Sequence, residues 1–133
     1  MGENKRKHLE FIQNVITRMN SNSFLIKGWT VTLTSALCAL AVKEKDLNYA
    51  FISVIVISTF WILDGFFISK EKQYRDLYGS VSMKDENLID FSMDTSSYEN
   101  EDNKWFWGVF SMSLIPFYGI FIAATLLGIS FIK

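Results

Sequence analysis

The sequence predicts an all-α integral membrane protein with three transmembrane helices, an N-terminal amphipathic helix and a cytosolic acidic loop. Three observations lead there. Half of the 133 residues are hydrophobic and 16% are aromatic, yet they gather into three blocks separated by charged runs such as Lys70 to Arg75; an ordinary soluble core would spread them along the chain. The blocks approach or exceed the roughly 20 residues that a helix needs to cross a hydrocarbon core of about 30 Å. The second block is rich in Ile, Val and Phe but far longer than a strand, which seldom exceeds about ten residues.

Residues 1–23 form the amphipathic element. Leu9, Ile12, Ile16 and Met19 recur every three or four positions, flanked by Phe11 and Val15, which is helical spacing. Glu10, Gln13, Asn14, Arg18 and Asn20 interrupt any continuous apolar stretch, which argues against a secretory signal. Two placements fit: a helix on the cytoplasmic membrane surface, with Lys5, Arg6 and Lys7 meeting anionic head groups, or a helix packed on the protein's own cytosolic segment. His8, inside the basic run, is expected to be solvated. Asn20, Ser21, Asn22 and Ser23 favour an interruption, with Asn22 or Ser23 as the N-cap of the first span.

The first span covers 24–42. It includes Lys27, which can reach back towards the head groups from near the end of a span. Lys43 to Asp46 make a tight connection, so the second span, 47–69, returns antiparallel to the first. It contains Asp64. Residues 70–104 are expected to carry a helical extension to Tyr78, a stop at Gly79, and then an acidic loop. Within that loop Leu88, Ile89 and Phe91 are either incidental apolar residues of a flexible segment or a short element that docks on a partner. The third span covers 105–132. Trp105, Phe106 and Trp107 resemble an aromatic belt at head-group depth, and Pro116 is expected to kink the helix in mid-span.

Orientation follows from Lys and Arg, which are retained on the cytoplasmic side. The N-terminal segment and the loop between spans two and three hold ten of them, against three on the other side, Lys43, Lys45 and Lys133. The expectation is a multi-pass protein of the bacterial cytoplasmic membrane, with the N-terminus and large loop inside and the C-terminus outside.

Asp64 is the sharpest functional candidate, because a carboxylate within a span is costly and faces a bundle interior, a cavity or a partner. Lys27 lies at similar depth on the first span, so the two are expected to pair. The pair would either fix the hairpin or serve an ion path or gating movement. Gly65 could mark a bend or a close helix contact. Gly28, Thr32 and Ala36 on the first span, and Gly119, Ala123 and Gly128 on the third, are small residues at spacings that let helices approach closely in lipid, within one chain or between copies. Three short helices enclose no pore, so a channel would have to be an oligomer with Thr and Ser facing inward.

Other classes fare poorly. His8, Cys38 and Asp64 have no catalytic company in the sequence, so neither enzymatic activity nor a cofactor or metal is expected. The acidic loop disfavours nucleic acid.

Arg18, Met19, Asn22, Ser23, Lys27, Gly28 and Trp29, followed by Trp61, Asp64, Gly65, Phe66 and Phe67, resemble a pattern in small bacterial multi-span membrane proteins, some of which serve as effectors in anti-phage defence operons. The resemblance covers the first two spans. It implies membrane permeabilisation or depolarisation on a cytosolic signal, with the acidic loop as the place where that signal arrives. The resulting expectation is a small oligomeric, channel-like membrane effector. The alternative is a membrane-anchored adaptor that recruits a soluble cytosolic partner through Leu88, Ile89 and Phe91.

Overall fold

The computed structural model describes residues 2–99, 104–111 and 114–132. Residues 100–103 of the acidic loop, Lys133 and the side chains of Phe106 and Trp107 fall outside the described residues. Four helices follow one another: α1 (Glu3–Glu44), α2 (Leu47–Ser82), α3 (Trp105–Val109) and α4 (Leu114–Ile132), with single 3-10 turns at Glu86–Leu88 and Ser96–Tyr98. No strand occurs among the described residues. α1, α2 and α4 are each long and apolar enough to cross a membrane.

α1 is one uninterrupted helix of 42 residues, about 63 Å long at 1.5 Å per residue. The expected interruption at residues 20–23 does not occur: the amphipathic segment 1–23 and the apolar segment 24–42 lie on one continuous helix. Ser and Asn weaken helices when their side chains turn back on the local backbone, but the Ser23 hydroxyl bonds instead to Asp64 on α2. A tertiary partner therefore removes the competition, and neither Asn22 nor Ser23 acts as an N-cap.

α1 and α2 form an antiparallel hairpin. Lys45 takes a left-handed conformation at φ 53°, its N–H returning to the Ala41 carbonyl. Asp46 then opens α2 by accepting from the Asn48 N–H at 2.9 Å, an N-cap that satisfies one of the four unpaired donors of a helix start. At the other end α2 passes through Gly79 to Ser82. Gly79 does not stop it because Leu77 and Val81, on either side, are buried against Leu9, Ile12 and Ile16. The amphipathic face of α1 is thus used against the chain's own α2.

Residues 83–99 form a strap over this end of the hairpin. Ile89, Met93 and Tyr98 pack on the same apolar cluster, and Thr95 donates to Gln73 Oε1 at 3.1 Å. Glu86 accepts from the Asn4 and Lys5 N–H groups at 2.8 and 3.1 Å, placing a carboxylate at the positive end of α1. His8 is fully buried, not solvated. Its Nε2–H donates to the Ser92 carbonyl at 2.8 Å, and its ring lies against Phe91, 5.5 Å between centroids. The Ser92 N–H holds the Asp90 carboxyl below its ordinary pKa, and Ser96 does the same for Asp94. The strap between Met83 and Glu99 is therefore an ordered element docked on its own helices.

The expected third span 105–132 is divided between α3 and α4. Pro116 falls in the first turn of α4, not in mid-span, so its missing N–H is one that would have no intrahelical partner in any case. A second cluster, Ile57 with Leu114 and Tyr118, joins α4 to α2. The outward faces remain apolar: Phe24, Ile55, Ile120 and Leu127 are all more than half exposed.

The buried and exposed apolar residues at the strap end should separate in stability. Leu77→Ala is expected to destabilise the fold by about 2–5 kcal/mol, whereas Leu88→Ala should change it by no more than about 0.5 kcal/mol. Thermal unfolding of the detergent-solubilised protein measures both. Equal losses would mean that the strap does not sit as described.

Candidate functional site

The four helices meet at a single level, around Asp64. This side chain is fully buried on the face of α2 that looks towards α1. Each oxygen is engaged: Oδ1 accepts from the Ser23 hydroxyl, while Oδ2 accepts from Lys27 Nζ at 2.7 Å and from the Tyr118 hydroxyl at 2.8 Å. Lys27 Nζ also donates to Ser23 Oγ at 2.8 Å and lies 5.9 Å from the centre of the Phe117 ring. Ser23 and Lys27 are one turn apart on α1, so helical geometry alone aims both at one point on α2.

Aromatic side chains extend the network to α3. The Tyr118 ring stacks on Trp61, with 6.0 Å between centroids and 5° between planes. Trp61 Nε1 donates to the Val109 carbonyl at 2.6 Å, and Trp105 Nε1 to the Ile62 carbonyl at 3.0 Å. The helices touch here through backbone. A Cβ at Gly108 would lie 2.3 Å from the Gly65 carbonyl oxygen, and one at Gly65 would lie 2.8 Å from Val109 Cα. Gly65 is therefore a close contact with α3, which only a residue without a Cβ permits.

The network is largely self-satisfied, with Asp64 buried and the Lys27 side chain 23% exposed. An ammonium, two hydroxyls and a carboxylate satisfy one another, and the carboxylate has no solvent contact. Oδ1 accepts one hydrogen bond and Oδ2 two, so most of the acceptor capacity of the carboxylate is taken up from within the chain. Among the described residues no three His, Cys, Asp or Glu side chains gather as a metal site would require.

The structure brings Lys27 and Asp64 together, whereas the expected small packing residues of α1 point away from α2. Gly28, Thr32 and Ala36 all lie on the exposed face of α1. Nothing stands within 4 Å of a Cβ built at Gly28, Gly119 or Gly128, and Ala123 is exposed. The reason is rotational: Ser23, Ile26, Thr30 and Thr34 are the buried positions of α1, which turns the Gly28 stripe outward. Phe24, Leu25, Gly28, Trp29 and Thr32 line a shallow outer groove of about 360 Å³. On the strap, Ile89 faces the core, whereas Leu88 and Phe91 are 60% and 39% exposed. Phe91 has φ 56°, an unfavourable backbone region for an aromatic residue, and its ring meets His8 and Phe11.

Sequence reasoning misses Ser23, Trp61 and Tyr118 as members of the network. Tyr118 leaves a signal, since a phenol within an apolar block needs a hydrogen-bond partner when buried. Ser23 leaves none that separates it from a cap.

Comparison with family models, with curated proteins and with solved structures finds no match to this chain.

Removing one partner at a time should rank the network. Lys27→Met leaves a buried carboxylate without its counter-charge and is expected to destabilise by about 3–5 kcal/mol. Tyr118→Phe removes one hydrogen bond to a charged group, worth about 1.5–3 kcal/mol. Adding Asp64→Asn to Lys27→Met should recover part of the first loss. Unfolding midpoints of the four proteins in detergent test the order; a double variant weaker than Lys27→Met alone would contradict it.

Proposed function

We propose that this chain is a small effector of the bacterial cytoplasmic membrane, which assembles into an oligomer through the outer face of α1 and alters membrane permeability. The observation that carries the reading is the contrast between the two sides of α1. Its inner side is engaged by the hydrogen-bonded cluster of Asp64, Lys27, Ser23 and Tyr118. Its outer side carries Gly28, Thr32 and Ala36, exposed in one line, the spacing that lets helices approach in lipid. Any path for ions would then run between chains.

The membrane placement rests on the three apolar helices and on exposed aromatic residues near one level, Phe24, Trp29, Phe66 and Trp105, as expected at a head-group boundary. Residues 24–44 then span about 30 Å, while the strap end of the hairpin projects into the cytoplasm with ten of the thirteen Lys and Arg on its side. The resemblance to anti-phage effectors centres on residues that include Ser23, Lys27, Trp61, Asp64 and Gly65, and it points to depolarisation as the output. A second reading, an anchored adaptor, draws on the exposed Phe11, Leu88 and Phe91 as a surface for a soluble cytosolic partner.

Gly28→Leu separates assembly from folding, because it adds a side chain where the single chain has no neighbour. The natural chain is expected to depolarise bacteria on induction, read with a voltage-sensitive dye, and Gly28→Leu at matched membrane levels to lose most of that effect. Full depolarisation by Gly28→Leu would contradict assembly through this face. No depolarisation by either chain, together with a cytosolic partner lost on Leu88→Lys, would favour the adaptor.

A further inference from the structure

The Ser23–Asp64 contact has a counterpart deeper in the hairpin. Thr34 lies eleven residues beyond Ser23, and Ser53 eleven residues before Asp64. Eleven residues are close to three helical turns, so each returns to the same face about 16 Å further along. The register holds over that distance, because Ala41 and Ala50 line one cavity beyond it. Thr34 and Ser53 thus occupy, on the same two facing surfaces, the places that Ser23 and Asp64 occupy near the strap.

Both side chains are buried, at 4% and 0% exposure, and neither hydroxyl has a hydrogen-bond partner among the described residues. This sets them apart from their neighbours. Thr30, Thr32, Thr59 and Thr125 each return their hydroxyl to the carbonyl four residues earlier at 2.8–3.0 Å, which is the usual solution for a hydroxyl on an apolar helix. A buried polar group left without a partner is destabilising, and two such groups at matching register on adjacent antiparallel helices could share one ligand.

We propose that Thr34 and Ser53 form an interior binding site for a water molecule, bridging α1 and α2 in the middle of the span. The chemistry selects a neutral guest: the site offers hydroxyls and no carboxylate, so it lacks the charge to hold a bare cation. A mostly apolar cavity of about 40 Å³, lined in part by Cys38, Ala41, Ala50 and Thr125, begins one turn beyond Thr34 and touches neither Thr34 nor Ser53, so it neighbours the proposed water and does not hold it. The site belongs to the single chain and goes beyond the reading of an oligomeric effector.

Water-edited solid-state NMR of the full chain in lipid bilayers is the direct test. Polarisation from water is expected to reach Thr34 and Ser53 faster than Ile57, which is equally buried between them and the Asp64 level. Build-up no faster than at Ile57 overturns the proposal. Thr34→Val and Ser53→Ala supply an independent reading. A shared water predicts that each lowers the unfolding midpoint, by roughly 4 °C, and that the double variant loses clearly less than the two together. Raised midpoints mean a dry pair, and additive losses mean that each hydroxyl bonds its own helix; either result overturns the site.

Discussion

The Asp64 carboxylate has no contact with solvent, and an ionised group so placed is strongly destabilising unless its lone pairs find donors and its charge a partner. The surrounding architecture meets both conditions. Lys27 brings the charge and Ser23 and Tyr118 bring hydroxyls, from α1 and α4 respectively. Because Trp61 stacks on Tyr118 and reaches the Val109 carbonyl, α3 is drawn to the same level. The helix rotations are set by this meeting: α1 must turn Ser23 and Lys27 inward, and Gly28, Thr32 and Ala36 then face outward.

That rotation divides the molecule by chemistry. On the strap side of Asp64, α1 and α2 hold an ordinary apolar core of Leu9, Ile12, Ile16, Leu77 and Val81, with Tyr98 and Met93 laid over it. On the hairpin side the interior holds Ile57 together with hydroxyls, Thr30, Thr34, Ser53 and Thr125 among them, while Val42, Phe51, Ile55 and Leu127 point out. A soluble bundle has the reverse arrangement; a membrane bundle packs through small and polar residues because lipid is as apolar as leucine. The acidic strap has a local explanation in this division. Glu86 caps the positive end of α1, so at least part of its charge serves the chain's own N-terminus.

Much of this is legible in the sequence, and the misses share a cause. Block length and the matching depth of Lys27 and Asp64 are local or additive properties, which a sequence displays directly. The tight hairpin at Lys45 and Asp46 is equally plain. Element boundaries are not. Ser23 and Gly79 both carry the local chemistry of a helix end, and in both cases a tertiary contact, to Asp64 or to the Leu9 cluster, outweighs a propensity of about 1 kcal/mol. Pro116 is misplaced by sequence reasoning because α3 and α4 read as one apolar block. His8 looks solvated beside Lys5, Arg6 and Lys7, since nothing in the sequence announces that residues 86–98 fold back over it.

Asp64 finds its counter-charge and its hydrogen-bond donors inside one chain. Solid-state NMR in bilayers measures this most directly, through the dipolar contact between labelled Lys27 Nζ and Asp64 Cγ, recorded with the labelled chain alone and again after dilution with unlabelled chain. A contact that keeps its full strength on dilution is the predicted result. A contact that fades in proportion to dilution would place the pair between chains, at an assembly interface or pore, and would contradict the network described for the single chain.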